Sequence, residues 1–304
     1  MQIITLQNKD FTAQIAPDIG NALYSLVYKN QERLYFPFTL DEYQSSSKLA
    51  GNPFMHPWAN RLQSDYITLN NKQHKFPAFY ADKIYRDANQ LPLHGLLLKS
   101  NKWKTTEQTI LQHKAVYHFN LAEELSVFPY VHQLTMSHEL IAENELKITT
   151  SILNLAAEEM PVSFGFHPYF ILNEKKENTV LTIPALNVIE TDKKQIPNGY
   201  KSAKEMHWGF NNDEIILAQH TFDHGFTDFK KNENGEAVFK LNDIEICFDK
   251  NYPYAQIYAP LHPDKPYVCI EPMTAATNAL NTNSCPMLKP NENFVASFSI
   301  RFLS

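Results

Sequence analysis

Apolar and polar residues alternate with a period of two from one end of the chain to the other. At the C-terminus Phe294, Ala296, Phe298, Ile300 and Phe302 share one face of an extended segment, while Ser297, Ser299 and Arg301 take the other. Ala115, Tyr117, Phe119 and Leu121 alternate with Val116, His118 and Asn120, and Ile244, Ile246 and Phe248 with Glu245, Cys247 and Asp249. Each pattern predicts a half-buried strand rich in β-favouring side chains. No long stretch has the 3.6-residue period of an amphipathic helix. The expectation is an all-β protein, a large antiparallel β-sandwich whose strands have one wet face. Turn signals agree: Asn70-Asn71, Asn198-Gly199 and Asn234-Gly235 supply residues that tolerate positive φ, and 18 prolines punctuate loops. With only 8 glycines, asparagine is expected to carry many of the turns.

Nothing in the 304 residues reads as a linker, a fixed-period repeat or a low-complexity tract, so one domain spanning residues 1–304 is expected. An apolar content of 43% and a charged content of 20% suit a chain that buries a large core. The net charge of -6 and pI near 6.1 offer no basic footprint for phosphates, which argues against nucleic acid as a partner. The first residues, MQIITLQNKDFTAQIAPDIG, lack a basic stretch followed by an apolar one, and no run approaches a membrane span. A cytoplasmic protein with no membrane association follows as an expectation. Cys247, Cys269 and Cys285 form neither a disulfide framework nor a CxxC zinc pair and read as free buried thiols.

Five stretches break the rhythm by setting titratable or amide groups beside Pro, Gly and aromatics: GNPFMHPWANRL (51–62), PLHGLL (92–97), FGFHPYF (164–170), TFDHGF (221–226) and VCIEPMT (268–274). On a sandwich, loops at strand ends can gather such distant segments into one cleft. Alternation places His167 on the face of the small residues Ser163 and Gly165, and Glu271 on the face of Cys269, with Pro272 ending the ladder. A carboxylate flanked by Ile270, Pro272 and Met273 is half desolvated, which raises its proton affinity toward that of a general base. His94 joins these two as a third candidate. His56 and His224 read as structural. Arg61 is either a planar donor fork for hydroxyls or an ion-pair partner at a strand edge.

Two imidazoles and a carboxylate suit zinc or ferrous iron, but HxH and HExxH spacings are absent, so three separate segments would have to converge on a metal. The same groups suit a cofactor-free acid and base working on a sugar hemiacetal, one protonating the ring oxygen while the other removes the anomeric proton. Asn60-Arg61, Leu93-His94-Gly95, Phe166-His167-Pro168-Tyr169-Phe170, Phe222-Asp223-His224 and Ile270-Glu271-Pro272-Met273-Thr274, in this order, resemble the aldose 1-epimerase (galactose mutarotase-like) family. The likeness runs from IAPDIGNALYSL (15–26) to Leu288-Lys289-Pro290-Asn291-Glu292, where Asn291 stands in place of a usual glycine.

The resemblance implies a β-supersandwich needing no metal or nucleotide and a small-molecule sugar as partner, in a monomer or homodimer. His167 would protonate the ring oxygen and Glu271 take the anomeric proton. His94 would bond near both, and Arg61, Asn60 and Asp223 would hold hydroxyls, with Asp228 a rival for Asp223. After His94-Gly95 the chain runs Leu96-Leu97-Leu98-Lys99, without the family's second glycine or the arginine of its hexose-6-phosphate branch, so the resemblance leaves the sugar open. Alternatives are a phosphorylated hexose met by Lys99 and Lys102, and a non-catalytic carbohydrate-binding protein using Trp58 and Tyr169 as platforms.

Overall fold

The structure, a computed structural model, describes residues 1–81, 83–172, 175–211, 213–218, 220–260 and 265–303. Strands account for 48% of residues and helices for 8%, and every ladder between strands of the described residues is antiparallel. The chain is a large antiparallel β-sandwich, as alternation predicts.

A nine-stranded sheet has the strand Asn293–Phe302 near its middle, between Ile244–Phe248 and Glu145–Asn154. An eight-stranded sheet carries Phe222–Phe229, Tyr254–Ala259, Tyr267–Met273, Gly165–Phe166 and Phe54–Met55 side by side. The inner faces meet through aromatic rings: Phe166 of one sheet packs 5.0 Å from Phe298 of the other. A four-stranded sheet formed by the first 32 residues adds Leu6, Phe11 and Ile15 to the same core, with Phe11 5.5 Å from Phe302. Ala296, Phe298, Ile300 and Phe302 are all buried, so the face read from the C-terminal segment is the core face.

Four local expectations need correction. Leu121 lies beyond the strand Gln112–Phe119 and precedes a short helix, Ala122–Leu125. Ile244–Phe248 is buried on both faces, because its central place covers Cys247 and lets Arg301 and Lys240 neutralise Glu245 at 3.3 and 2.8 Å. Asn198-Gly199 sits inside the strand Pro197–Ser202; the adjoining turn is made instead by the residues up to Gln195, at φ 62°. Pro272 does not end its ladder but pairs with Ala255 inside Tyr267–Met273. The expectation for asparagine holds: nine of the sixteen positive-φ non-glycine residues described are Asn, among them Asn70, Asn71 and Asn291 at φ 62°. Among the described residues no helix is long and apolar enough to cross a membrane.

Candidate functional site

A cleft of about 500 Å³ opens at one end of the eight-stranded sheet, and the five polar stretches converge on it. Glu271 reaches it because Val268 and Ile270 of the same strand face the core, leaving Cys269 and Glu271 on the other side. His167 follows Phe166 in the neighbouring strand and is anchored by its backbone N–H, which donates to the Pro53 carbonyl at 3.1 Å. The His167 Nε2 lies 3.2 Å from Glu271 Oε1, and the imidazole stacks on Tyr169 at 4.4 Å with an interplanar angle of 8°.

His94 comes from the opposite wall. It adopts φ 63°, followed by Gly95 at φ 75°, and its N–H donates to the Asn60 carbonyl at 2.9 Å. That double left-handed step turns the ring edge-on to His167, 5.1 Å away at 84°. The three segments 54–61, 93–96 and 164–167 are therefore cross-tied by backbone, which fixes the side chains they present.

Burial sets the proton affinities. Glu271 is 1% exposed and its Oε2 has no partner; desolvation raises its pKa well above the ordinary carboxylate value, Asp223 adds to the rise and Arg61 opposes it. Desolvation pushes His167 down to about 3 and holds His94 well below the usual imidazole value. A buried pair in contact favours the form with no net charge, so His167 and Glu271 hold one proton between them near neutrality.

Arg61 proves to be both of its alternatives at once. Its Nε donates to Asp87 Oδ2 at 2.9 Å and one terminal nitrogen to Asn60 Oδ1 at 2.9 Å, while the other reaches into the cleft 3.5 Å from Asp223. Asp223 also accepts from Gln256 Nε2 at 2.7 Å and Gln195 Nε2 at 2.8 Å. Asp228 is exposed, bonded to Asn187, and is not part of the cleft.

Several expectations are corrected here. Trp58 is buried in the core, stacked on Phe76, and offers no platform, whereas Tyr169 does line the cleft. Lys99 is not a free cation: its ammonium caps the helix Leu40–Ser45 by donating to Ser46 O at 2.7 Å and lies over the Tyr43 ring, and burial lowers its pKa to about 8. Lys102 also lies outside the cleft. His56 is structural, buried with its Nε2 2.8 Å from that of His132. His224 is half-buried beside Trp208 and does not line the cleft.

Sequence reasoning missed Asp87, Gln256, Tyr85, Tyr258, Lys48 and Lys265. Alternation in YAQIYA gave Gln256 and Tyr258 a common face, a usable signal. Asp87 carried none, since its partner Arg61 lies 26 residues away. Among the described residues no group of three or more His, Cys, Asp or Glu side chains is arranged to hold a metal ion.

Comparison with known proteins agrees with this architecture. A profile of the family described as aldose 1-epimerase matches residues 2–301. A solved structure of a galactose mutarotase-like protein from Clostridium acetobutylicum superposes with a TM-score of 0.82 at 23% identity, covering 97% of this chain and 93% of that one. A GalM/aldose epimerase homologue from C. elegans gives 0.81 at 18% identity over 100% and 99% of the two chains, and a putative aldose 1-epimerase from Escherichia coli K12 gives 0.77 at 18% over 99% and 98%. At these identities the likeness is one of fold. No curated protein matches the chain.

Proposed function

The chain belongs to the aldose 1-epimerase family, and on that premise we propose that it interconverts the α and β anomers of a hexose by general acid–base catalysis at His167 and Glu271. The observation that carries the reading is the 3.2 Å contact between two fully buried groups of opposite proton demand at the floor of a polar cleft.

The pair enters the reaction with one proton. When that proton resides on His167, Glu271 is a carboxylate able to accept the anomeric hydroxyl proton while His167 delivers its own to the ring oxygen, breaking the C1–O5 bond. The pair then holds its single proton on Glu271. Rotation about C1–C2 presents the other face of the aldehyde, and the two transfers run backwards to close the ring as the other anomer. No proton is gained or lost overall, so the site needs no exchange with solvent during the cycle. His94 supports the reaction as a neighbour of both the acid and the sugar. Arg61, Asn60 and Asp223 form a preorganised set of donors and acceptors for hydroxyls, because each already has a fixed partner.

Polarimetry of freshly dissolved α-D-glucose and α-D-galactose tests this, with Glu271→Gln as control. The amide keeps the shape of the carboxyl group but cannot accept the proton, so turnover falls by roughly 10²–10⁴-fold while sugar affinity stays within about tenfold. Equal rates for variant and wild type would remove Glu271 from the role of base. Sugar binding without any acceleration would identify a carbohydrate-binding protein instead.

A further inference from the structure

The charges of the cleft are mostly accounted for. Arg61 faces two carboxylates, Asp87 at 2.9 Å and Asp223 at 3.5 Å, and Asp223 is further satisfied by two glutamine amides. His94, His167 and Glu271 hold no net charge between them by the balance given above. Two cations remain. Lys265 is half-buried at the wall, its ammonium 3.0 Å from the Tyr258 hydroxyl, and Lys48 stands at the rim on the segment after the helix Leu40–Ser45. Among the described residues neither has a carboxylate within ion-pair distance, in a chain with 33 acidic against 27 basic residues.

Their position is also informative. Gln256 pairs with Glu271 across adjacent strands, and Tyr258 lies two residues further along, roughly 7 Å from Gln256 at the usual strand rise. Lys265, held at the Tyr258 hydroxyl, therefore sits toward the end of the cleft away from the acid–base pair, about the width of one sugar ring. An ammonium has three N–H donors, and the hydroxyl takes one, which leaves two for a ligand. Lysine meets phosphate or carboxylate as a compact point charge and adds little for a neutral hydroxyl that a tyrosine would not supply.

We propose that the cleft takes a hexose carrying an anionic substituent, a phosphate monoester or a carboxylate, on the side of the ring remote from C1, with Lys265 and Lys48 meeting that charge. The inference rests on the anomer-exchange reading above and names the substrate class within it. Its residues differ from Lys99 and Lys102, the two lysines that the sequence offered for a phosphate.

The test measures anomer exchange by NMR for D-glucose 6-phosphate, D-glucuronate, D-glucose and D-galactose with wild type, Glu271→Gln and the double variant Lys48→Met/Lys265→Met, each checked for folding by circular dichroism. Expected is a kcat/KM at least tenfold higher for one anionic sugar than for either neutral one, a preference that shrinks with added salt and falls at least tenfold in the double variant. Glucose 6-phosphate as the better substrate identifies a phosphate, and glucuronate a carboxylate. Wild-type preference for a neutral hexose overturns the inference and leaves anomer exchange standing, as does an anionic preference that survives loss of both lysines. Failure of wild type to accelerate any of the four overturns both.

Discussion

Gly95 approaches His56 so closely that a Cβ built on it would lie 2.2 Å from the His56 carbonyl oxygen and 2.3 Å from the carbonyl carbon. Leu96 N–H donates to that same carbonyl at 2.7 Å, so the loop bearing His94 is pressed directly against the strand end that leads to Asn60 and Arg61. The φ of 75° at Gly95 adds a second reason for glycine, since an L side chain is strained there.

Gly95→Ala therefore forces the two segments apart. Stability is expected to fall by about 2 kcal/mol or more, from steric strain at a left-handed position and a lost backbone contact. The kcat/KM falls further than stability alone explains, because His94 is displaced. Thermal unfolding and polarimetry on the same sample check this; an unchanged Tm with unchanged rates would show that His94 does not depend on the contact.

Asp87 has both carboxylate oxygens engaged, one by Arg61 and the other by the backbone N–H groups of Asn89 and Leu91. In Asp87→Asn the buried charge partner of Arg61 is lost, and a destabilisation of about 2–3 kcal/mol is expected. With Arg61 free to pair wholly with Asp223, the hydroxyl-binding set loosens: KM should rise about tenfold while kcat changes less. A fall in kcat with KM untouched would place Asp87 closer to the chemistry than its geometry suggests.

His167→Asn removes the proton donor to the ring oxygen but keeps a polar side chain. Turnover is expected to drop by roughly 10²–10⁴-fold with KM within about tenfold. Glu271→Gln combined with His167→Asn should cost little beyond either change alone, since the two groups share one proton. Additive losses in the double variant, measured by single-turnover anomer exchange, would contradict the shared-proton cycle.

Acid should unfold the protein earlier than carboxylates alone would cause. Burial lowers His113 and His132 to about 4 and His138 and His167 to about 3, below the ordinary 6.5. As pH falls through 6.5 the unfolded chain takes up protons that the folded chain refuses, so stability is full above 6.5 and lost between there and about 4. Each such histidine costs up to about 1.4 kcal/mol per pH unit in that window. Urea midpoints at pH 7.5 and 5.5 measure the slope, and His138→Phe should flatten it. A midpoint constant over this range would show that these imidazoles accept protons in place.

Much of the candidate site was legible locally. The faces of His167 and Glu271 follow from alternation within FGFH and VCIE, because adjacent side chains of a strand point to opposite sides whatever the strand pairs with. The same logic gave the core face of Phe294–Phe302, and the scarcity of glycine forecast that asparagine would hold positive φ. Where a strand lies in its sheet is not local. Ile244–Phe248 looked half-exposed and is buried on both faces, since central placement is decided by neighbours distant in the chain.

The sequence by itself thus determined the strand-rich class, the faces of the segments and the kinds of group that reach the cleft. Only the tertiary structure decided that Arg61 is clamped by Asp87, that Trp58 is core while Lys265 and Tyr258 are wall, and that Lys99 ties a helix rather than meeting a ligand. The physical reason is one of range. Steric and hydrogen-bonding rules along a strand act over two or three residues, whereas burial, pKa and ion pairing depend on which strands the packing of the core brings together.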